Sequence, residues 1–401
     1  MLLFIQSIIV YGLMIWVMTY FGNITYKCQY PKGFGENNLF QNKKKPFITL
    51  LTKSYFLIPI FIFCFFAAVR YNVGVDCEHY KSIFYDLGQY GVSLTAQNIE
   101  KGFVVLSKLV YSLTGSHYIL LFILAFLQIT LLYYAQRKTT YTLKYFGLVL
   151  ILSGTYLSLM NGIRQNIAAC AFVAIVPFVL EKKKWLWYIL GVYMATFMHK
   201  SAFSLYLLGI LAYFVQHRIP NKYIQLGIIT VCFILMDKIQ LTGFTDIFSV
   251  FGAEAGYSEN AIDTYSEVEA MTKAFGFRSM LLLSTYIITI WYSERMKSYF
   301  NNKVFNIQYN LFFIGICLFL LFYNDFVINR LLYYLKIFNP IMISYCMFYL
   351  WNTKSKNSVI IFRFILLILV MHLLYELFVC TQMIPNEYSL YKFDLFRDVI
   401  L

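Results

Sequence analysis

Long apolar stretches alternate with shorter polar segments from one end of the chain to the other. A helix of about 20 apolar residues crosses the hydrocarbon core of a bilayer, whereas a stretch of about 15 is only marginally long enough. The pattern predicts an all-α, polytopic integral membrane protein, in which residues 1–401 form a single transmembrane domain of about twelve helices. The predicted spans are 2–21, 54–69, 117–136, 142–160, 163–180, 185–199, 202–216, 223–237, 279–293, 307–323, 331–350 and 359–380.

Composition agrees with this class, because 60% of the 401 residues are hydrophobic and only 13% are charged. The stretch 2–21 has neither a basic segment before it nor a small-residue cleavage site after it, so we interpret it as a retained span. The eight cysteines show no CxxC or Cys/His spacing. Neither a disulfide framework nor a metal site is predicted, and no cofactor is expected.

Basic residues are concentrated in alternate loops, which also contain Glu36, Glu181 and Glu294 as their acids. Lysine and arginine accumulate on the cytoplasmic side of a membrane, so these loops are predicted to be cytoplasmic and both termini to lie outside. The net charge of +14 is then mainly a topological signal, and nucleic acid is not expected as a partner. The basic residues are Lys27, Lys32, Lys43, Lys44, Lys45, Arg137, Lys138, Lys182, Lys183, Lys184, Arg218, Lys222, Arg295, Lys297, Lys303, Lys354 and Lys356.

The other set of loops is longer and carries nearly all the acidic residues. It includes a first outer loop, 70–116, and a second, 238–278, whose length without an evident secondary-structure pattern favours a lid over a passive solvated loop. Within the first outer loop, 102–113 is apolar but too short to span, and it predicts an interfacial or re-entrant helix. These loops point to chemistry on the outer face.

Four cations stand where apolar segments begin on this predicted outer face: Arg164, Lys200, Arg278 and Arg330. The start of a helix carries about half a positive charge, so a cation there costs roughly 0.3–1 kcal/mol unless an anion binds beside it. Free backbone N–H groups and guanidinium forks both bind phosphate. The arrangement predicts a site for a phosphorylated ligand.

Two further segments on this face carry candidate chemistry. Arg70 and Asp76 flank Gly74, which permits a turn that brings them together at the membrane surface. The alternative for Arg70 is a side chain that extends to lipid headgroups beside an ordinary polar loop. His199 lies at the aqueous margin, where an imidazole can exchange protons, although an isolated histidine is more often structural.

Short motifs on these segments resemble those of EpsG-type proteins, which are bacterial polysaccharide polymerases allied to the Wzy O-antigen polymerases. The similarity in organisation covers most of the chain. Lys101 departs from the family's pattern, in which a proline follows the glutamate. The resemblance is carried by Arg70, Gly74, Asp76 and Tyr80 in the first outer loop, Glu100 before Gly102, Arg164 followed by Gln165, His199 next to Ser201, and Arg330 before Tyr334.

The resemblance implies a glycosyltransferase of GT-C-like architecture in the bacterial inner (plasma) membrane, with its active site facing the periplasm or exterior. It implies a membrane-lipid-linked substrate, an oligosaccharide repeat unit on undecaprenyl pyrophosphate. The implied reaction joins these units into O-antigen or exopolysaccharide without a nucleotide sugar or a metal. A chain-length-regulating co-polymerase is the implied protein partner.

Roles follow for the candidate residues. His199 is the first choice for the general base and Asp76 the second, because either can take the acceptor proton as the glycosidic bond forms. Guanidinium groups are assigned to the pyrophosphate because their planar forks match phosphate oxygens. The predicted substrate-binding residues are Arg164, Arg278, Arg330 and Arg70 for pyrophosphate, Tyr80 and Tyr334 for sugar surfaces, and Glu100 and Gln165 from the family motifs.

Three rival functions stay open at the level of sequence. An O-antigen ligase would use the same lipid-linked donor with a different acceptor, and the sequence separates it poorly from a polymerase. A lipid-linked oligosaccharide flippase would place charge along an interior path, whereas the cations here crowd the outer edge. A membrane O-acyltransferase would use His199 but would need polar residues nearer the cytoplasmic side.

Overall fold

Helices make up the regular structure of the chain, as the computed structural model shows. Within the described residues no β-strand forms, and one isolated bridge joins Arg70 to Phe393. Two compact units are present: the first comprises residues 1–96, 104–163 and 343–401, and the second comprises 97–103 and 164–342. The structure describes residues 2–31, 34, 47–74, 76–94, 96, 98–216, 221–236, 238, 275–382 and 389–394.

The helices follow the apolar pattern, and each predicted span contains at least one of them. Short 3₁₀ turns cover Thr140–Thr142, Val176–Leu180, Lys182–Lys184 and Lys200–Ser204. The α-helices are α1 (Leu2–Gln29), α2 (Phe47–Leu51), α3 (Ser54–Ala68), α4 (Cys77–Gln89), α5 (Lys101–Thr114), α6 (His117–Ala135), α7 (Leu143–Leu152), α8 (Thr155–Met160), α9 (Ile163–Ile175), α10 (Trp185–Thr196), α11 (Leu205–Val215), α12 (Lys222–Ile234), α13 (Phe277–Trp291), α14 (Ser293–Phe300), α15 (Lys303–Leu321), α16 (Phe326–Leu331), α17 (Tyr333–Lys336), α18 (Phe338–Thr353) and α19 (Lys356–Gln382).

Six helical segments within the described residues are long and apolar enough to cross a membrane. Five further apolar helices are shorter, with 10–17 residues. The all-α membrane class is thereby confirmed, while the count of about twelve spans and the GT-C-like architecture stay predictions. The six segments are Leu2–Gln29, His117–Ala135, Ile163–Leu180, Lys303–Leu321, Ile328–Thr353 and Lys356–Thr381.

One predicted span, 142–160, is interrupted. Gly154 adopts a left-handed conformation with φ of +71°, which separates α7 from α8. Residues with a Cβ are strained at this φ, so glycine is suited to the break. Helix α5, by contrast, is continuous and covers the stretch 102–113 for which the sequence predicts a short helix.

In the first unit, glycines let α1 pack closely along α7. A Cβ on Gly22 would overlap the backbone carbonyl of Leu143, and one on Gly147 would overlap the side chain of Met18. Small residues allow helix backbones to approach each other in a membrane, where van der Waals packing replaces the hydrophobic effect between helices. The α1–α7 pair is therefore held by close steric fit.

A C-terminal strap, residues 389–394, lies against the same unit. The backbone N–H of Tyr391 donates to Oγ of Ser7 at 2.7 Å, and its hydroxyl donates to the carbonyl of Phe66 at 2.6 Å. The strap therefore ties the ends of α1 and α3 together. Two backbone hydrogen bonds continue the pairing, from Tyr71 to Lys392 and from Asp394 to Val69.

In the second unit, a buried amide joins three helices. Gln225 of α12 is fully buried, and its Oε1 accepts a hydrogen bond from the hydroxyl of Tyr309 in α15 at 2.6 Å. Its Nε2 donates to Oγ of Ser293, at the start of α14, at 3.3 Å. A polar side chain in an apolar interior needs such partners, so these contacts fix the packing of the three helices.

The strap should contribute measurably to stability. Tyr391→Phe removes the hydroxyl that donates to Phe66, and we expect it to cost about 1 kcal/mol, the usual net contribution of one hydrogen bond. The melting temperature of the purified protein, followed by fluorescence-detected size-exclusion chromatography after heating, should fall. Tyr90→Phe is the control, since Tyr90 is 61% exposed. Equal melting temperatures for Tyr391→Phe and the parent would contradict this role.

Candidate active site

A buried carboxylate, Glu100, lies at the centre of a polar cluster in the second unit. Glu100 is 5% exposed, and its Oε1 lies 2.7 Å from Nδ1 of His199. The same oxygen accepts a hydrogen bond from the backbone N–H of Lys200 at 3.3 Å. Its other oxygen, Oε2, forms an ion pair with the guanidinium of Arg164. We call Glu100, Arg164 and His199 the Glu100 cluster.

The partners of Glu100 keep it ionised. Burial alone would raise the pKa of this carboxyl, but the hydrogen bond from His199 and the charge of Arg164 lower it from 4.5 to about 2. An ionised carboxylate only accepts hydrogen bonds, so the Nδ1 of His199 is the nitrogen that carries the proton. In the neutral imidazole, Nε2 is then unprotonated, which is the form that can remove a proton from a hydroxyl group.

Gly102 allows the segment around Glu100 to lie against the turn before His199. The N–H of Gly102 donates to the backbone carbonyl of Phe197 at 2.9 Å. A Cβ on Gly102 would lie 2.6 Å from that oxygen, so a larger residue would push the two segments apart. The close backbone contact thus sets the distance over which Glu100 reaches the imidazole.

Two further hydrogen bonds involve candidate residues of the second unit. Nε2 of Gln165 donates to the backbone carbonyl of Arg330 at 2.6 Å. The hydroxyls of Ser201 and Tyr334 are hydrogen-bonded at 2.8 Å, and Tyr334 is fully buried. Four residues of the family motifs, Gln165, Arg330, Ser201 and Tyr334, therefore form two bonded pairs, although each pair joins residues far apart in the sequence.

The remaining arginines of the second unit occupy different settings. Arg278 is the second residue of α13 and is exposed, as a helix-start cation should be. Arg330 lies in the last turn of the short helix α16 and is the third residue of the apolar segment Ile328–Thr353. This helix begins earlier than the predicted span, because Oδ1 of Asp325 caps it by accepting a hydrogen bond from the N–H of Ile328 at 2.8 Å.

Three candidate residues belong to the first unit. Arg70 is 2% exposed, and its Nε donates to the carbonyl of Val73 at 3.0 Å. Oδ2 of Asp76 accepts a hydrogen bond from the N–H of Gly162 at 2.8 Å, and Tyr80 is 4% exposed. The first of these bonds stabilises a turn, and the second joins distant segments of the first unit. The assignment of Arg70 and Tyr80 to substrate, and of Asp76 as the second choice for the base, stays a prediction.

The predicted lid and the predicted lack of a metal site concern the second outer loop and the acidic, histidine and cysteine side chains. Most of the predicted lid, 238–278, lies outside the described residues, because these omit 239–274. Within the part of the chain that is described, no group of three or more His, Cys, Asp and Glu side chains is placed to hold a metal ion.

Sequence reasoning missed the partnership of Glu100 and His199. These residues are 99 positions apart, and Arg164 lies 64 positions from Glu100. The sequence carried one signal, the glycine two residues after Glu100, because a glycine at a helix start often marks a close backbone approach. Nothing in the sequence around Phe197 indicated that this residue is the one that Gly102 contacts.

These observations define a class: an all-helical membrane protein whose second unit holds a buried acid, an imidazole and a guanidinium in direct contact. The chain belongs to the EpsG family, whose sequence model matches residues 53–393. The resemblance seen in the sequence motifs is thereby confirmed. Membership supports a membrane polysaccharide-polymerase type of function and is consistent with a glycosyltransferase. No curated protein and no solved structure matches the chain.

Gly102→Ala should destabilise the second unit, because the added Cβ meets a backbone atom that cannot rotate away. We expect a cost of about 1–3 kcal/mol, typical of overpacking. The matched control is Gly227→Ala in α12, where a Cβ would have no neighbour within 4 Å. Thermal unfolding of the purified variants should show a lower melting temperature for Gly102→Ala alone. A melting temperature equal to that of the parent would refute the close approach.

The contribution of Glu100 to stability should decrease as the pH falls below about 4.5. Its pKa is lowered from 4.5 to about 2 on folding, so the contribution is fully present above 4.5 and is lost as pH falls towards 2. The difference in melting temperature between the parent and Glu100→Gln should therefore be constant near neutral pH and shrink below 4.5. Glu181→Gln, whose side chain is 48% exposed, is the control. A difference that persists unchanged to the lowest pH would be inconsistent with the ionised cluster.

Proposed function

We propose that the protein is a metal-independent glycosyltransferase that polymerises oligosaccharide repeat units carried on undecaprenyl pyrophosphate. The single observation that carries the proposal is the Glu100 cluster, in which a buried carboxylate orients an imidazole and pairs with a guanidinium. Membership in the EpsG family supports the same type of reaction. The cluster supplies the two functions that the reaction requires, a base for the acceptor and positive charge for the leaving group.

The proposed step transfers a growing glycan from its lipid pyrophosphate to a hydroxyl of the next lipid-linked unit. The bond between the anomeric carbon and the pyrophosphate oxygen breaks, and a bond from that carbon to the acceptor oxygen forms. Nε2 of His199 takes the acceptor proton. The electron pair of the broken bond stays with the undecaprenyl pyrophosphate, which leaves as an anion.

Electrostatics of the Glu100 cluster suit this sequence of events. With His199 neutral, the charges of Glu100 and Arg164 cancel. When His199 accepts the proton, the cluster gains a net positive charge at the moment when negative charge develops on the leaving group. Because Glu100 is already ionised and hydrogen-bonded to Nδ1, it stabilises the imidazolium without reorganisation.

The pyrophosphate is assigned to the arginines of the second unit, with Arg164 beside the base and Arg278 and Arg330 as further contacts. Asp76 remains the second candidate for the base, behind His199, because its carboxylate already accepts a hydrogen bond from Gly162. In the second unit, Tyr334 is the tyrosine proposed to contact the sugar.

The proposed location is the bacterial inner (plasma) membrane, with the site facing the periplasm or exterior. The basic loops support this orientation because lysine and arginine are retained on the cytoplasmic side. A lipid-linked donor would then present its pyrophosphate at the outer leaflet. A co-polymerase that regulates chain length is the proposed protein partner.

His199→Gln should abolish polymer formation, because it removes the base but retains a hydrogen-bonding side chain. Loss of a general base lowers the rate by about 10²–10⁴-fold. The variant would replace the native copy in the source cells, and surface glycans would be separated by gel electrophoresis. We expect the polymer ladder to vanish and lipid-linked single units to accumulate at normal protein levels. His79→Gln, an exposed histidine of α4, should retain the ladder.

Different outcomes separate the rival functions. A full ladder from His199→Gln would exclude this residue as the base. If the parent protein instead transfers preformed polymer to a separate acceptor and makes no ladder, it is a ligase. If loss of the protein leaves single units facing the cytoplasm, it is a flippase.

A further inference from the structure

A lipid-facing groove in the first unit shares no residue with the Glu100 cluster and plays no part in the proposed reaction. It is about 600 Å³ in volume and runs between α1, α7 and the end of α18. Aromatic side chains form its walls, and one cation, Lys144, lines it. The aromatic residues are Trp16, Tyr20, Tyr145 and Trp351.

The length of the groove matches one leaflet. Its lining extends along α1 from Gly12 to Asn23, which corresponds to about 17 Å at the helical rise of 1.5 Å per residue. The hydrocarbon core of a bilayer is about 30 Å thick, so half of it is about 15 Å. The predicted topology starts α1 outside and ends it at Lys27 in the cytoplasm, which places the groove in the cytoplasmic leaflet.

Positive charge is concentrated at the cytoplasmic end of the groove. Nζ of Lys144 lies 5.4 Å from the ring centroid of Tyr26, 5.2 Å from that of Tyr145 and 5.5 Å from that of Trp351. Lys27 is close enough to act on Lys144 electrostatically. Among the residues that the structure describes, no carboxylate pairs with Lys144.

The apolar part of the groove is open to an acyl chain. Trp16 is 62% exposed and Trp351 is 43% exposed, which places both indole rings on the lipid-facing surface. Gly12 leaves space there, because a Cβ on it would have no neighbour within 4 Å. Aromatic rings of this kind are typical of the membrane interface, where lipid headgroups meet acyl chains.

We infer that the groove binds one anionic glycerophospholipid of the cytoplasmic leaflet, with its phosphate beside Lys144 and an acyl chain running along α1 past Gly12. Charge complementarity selects an anionic headgroup over a zwitterionic one, since each lysine near the surface strengthens binding to anionic lipid about fivefold. The aromatic walls hold the chain but do not discriminate between headgroups. This site is additional to any site for the lipid-linked glycan.

Tryptophan quenching can test the inference directly. Replacing Trp185, Trp187 and Trp291 by Phe leaves Trp16 and Trp351, both in the groove, as the indole reporters. This protein would be reconstituted in phosphatidylcholine vesicles that contain increasing fractions of a dibrominated lipid. Dibromo-phosphatidylglycerol should reach half-maximal quenching at a fraction about fivefold lower than dibromo-phosphatidylcholine does, because only the former carries net charge.

Variants separate the headgroup contact from the apolar contact. Lys144→Gln should abolish the preference for phosphatidylglycerol, and Lys144→Arg should preserve it. Gly12→Phe should reduce quenching by both lipids, because its ring fills the groove. Lys356→Gln is the control, since Lys356 is an exposed lysine of the same unit outside the groove. It should leave the preference unchanged.

A second measurement uses the protein with its tryptophans intact. Native mass spectrometry after equilibration with equal amounts of the two lipids should show retained phosphatidylglycerol on the parent and loss of that retention in Lys144→Gln. Equal quenching or equal retention of the two lipids by the parent would overturn the inference. So would a change of oligomeric state caused by Gly12→Phe, which would indicate that a second copy of the chain occupies the groove.

Discussion

A carboxylate removed from water needs compensation, and in the second unit Arg164 and His199 compensate Glu100. Losing Arg164 would leave the buried charge of Glu100 without a counter-charge, which is costly in a medium of low polarity. Losing His199 would remove a hydrogen bond to the same carboxylate. The same contacts determine which imidazole nitrogen carries the proton. The contacts of Glu100 with Arg164 and His199 therefore serve two purposes. They stabilise the fold around Glu100, and they set the protonation state of His199, so a substitution at Glu100 changes both.

Within each of the two units, the helices follow the constraints of an apolar solvent. Glycines bring backbones together where water cannot drive association, as between α1 and α7. The buried side chain of Gln225 is hydrogen-bonded through both the oxygen and the nitrogen of its amide.

The sequence located many elements well and the site only in part. The span predicted over 117–136 is observed as His117–Ala135, because an unbroken apolar run fixes a helix without long-range help. The start of α16 depended on a cap at Asp325, and the break before α8 depended on the backbone of Gly154. Family motifs picked out Glu100, His199 and Arg164 singly. Their contact could not be read from the sequence, because it joins segments whose approach is set by tertiary packing.

The C-terminal strap has a consequence for biogenesis. Tyr391 bonds to Ser7 across 384 positions of the chain, while the whole of the second unit is encoded between them. Such a contact cannot form until the last part of the polypeptide has emerged from the ribosome. All residues of the second unit are synthesised before this contact can form, so the first unit is the one completed last. Loss of residues 389–394 would remove contacts of the first unit and none of the contacts described for the second.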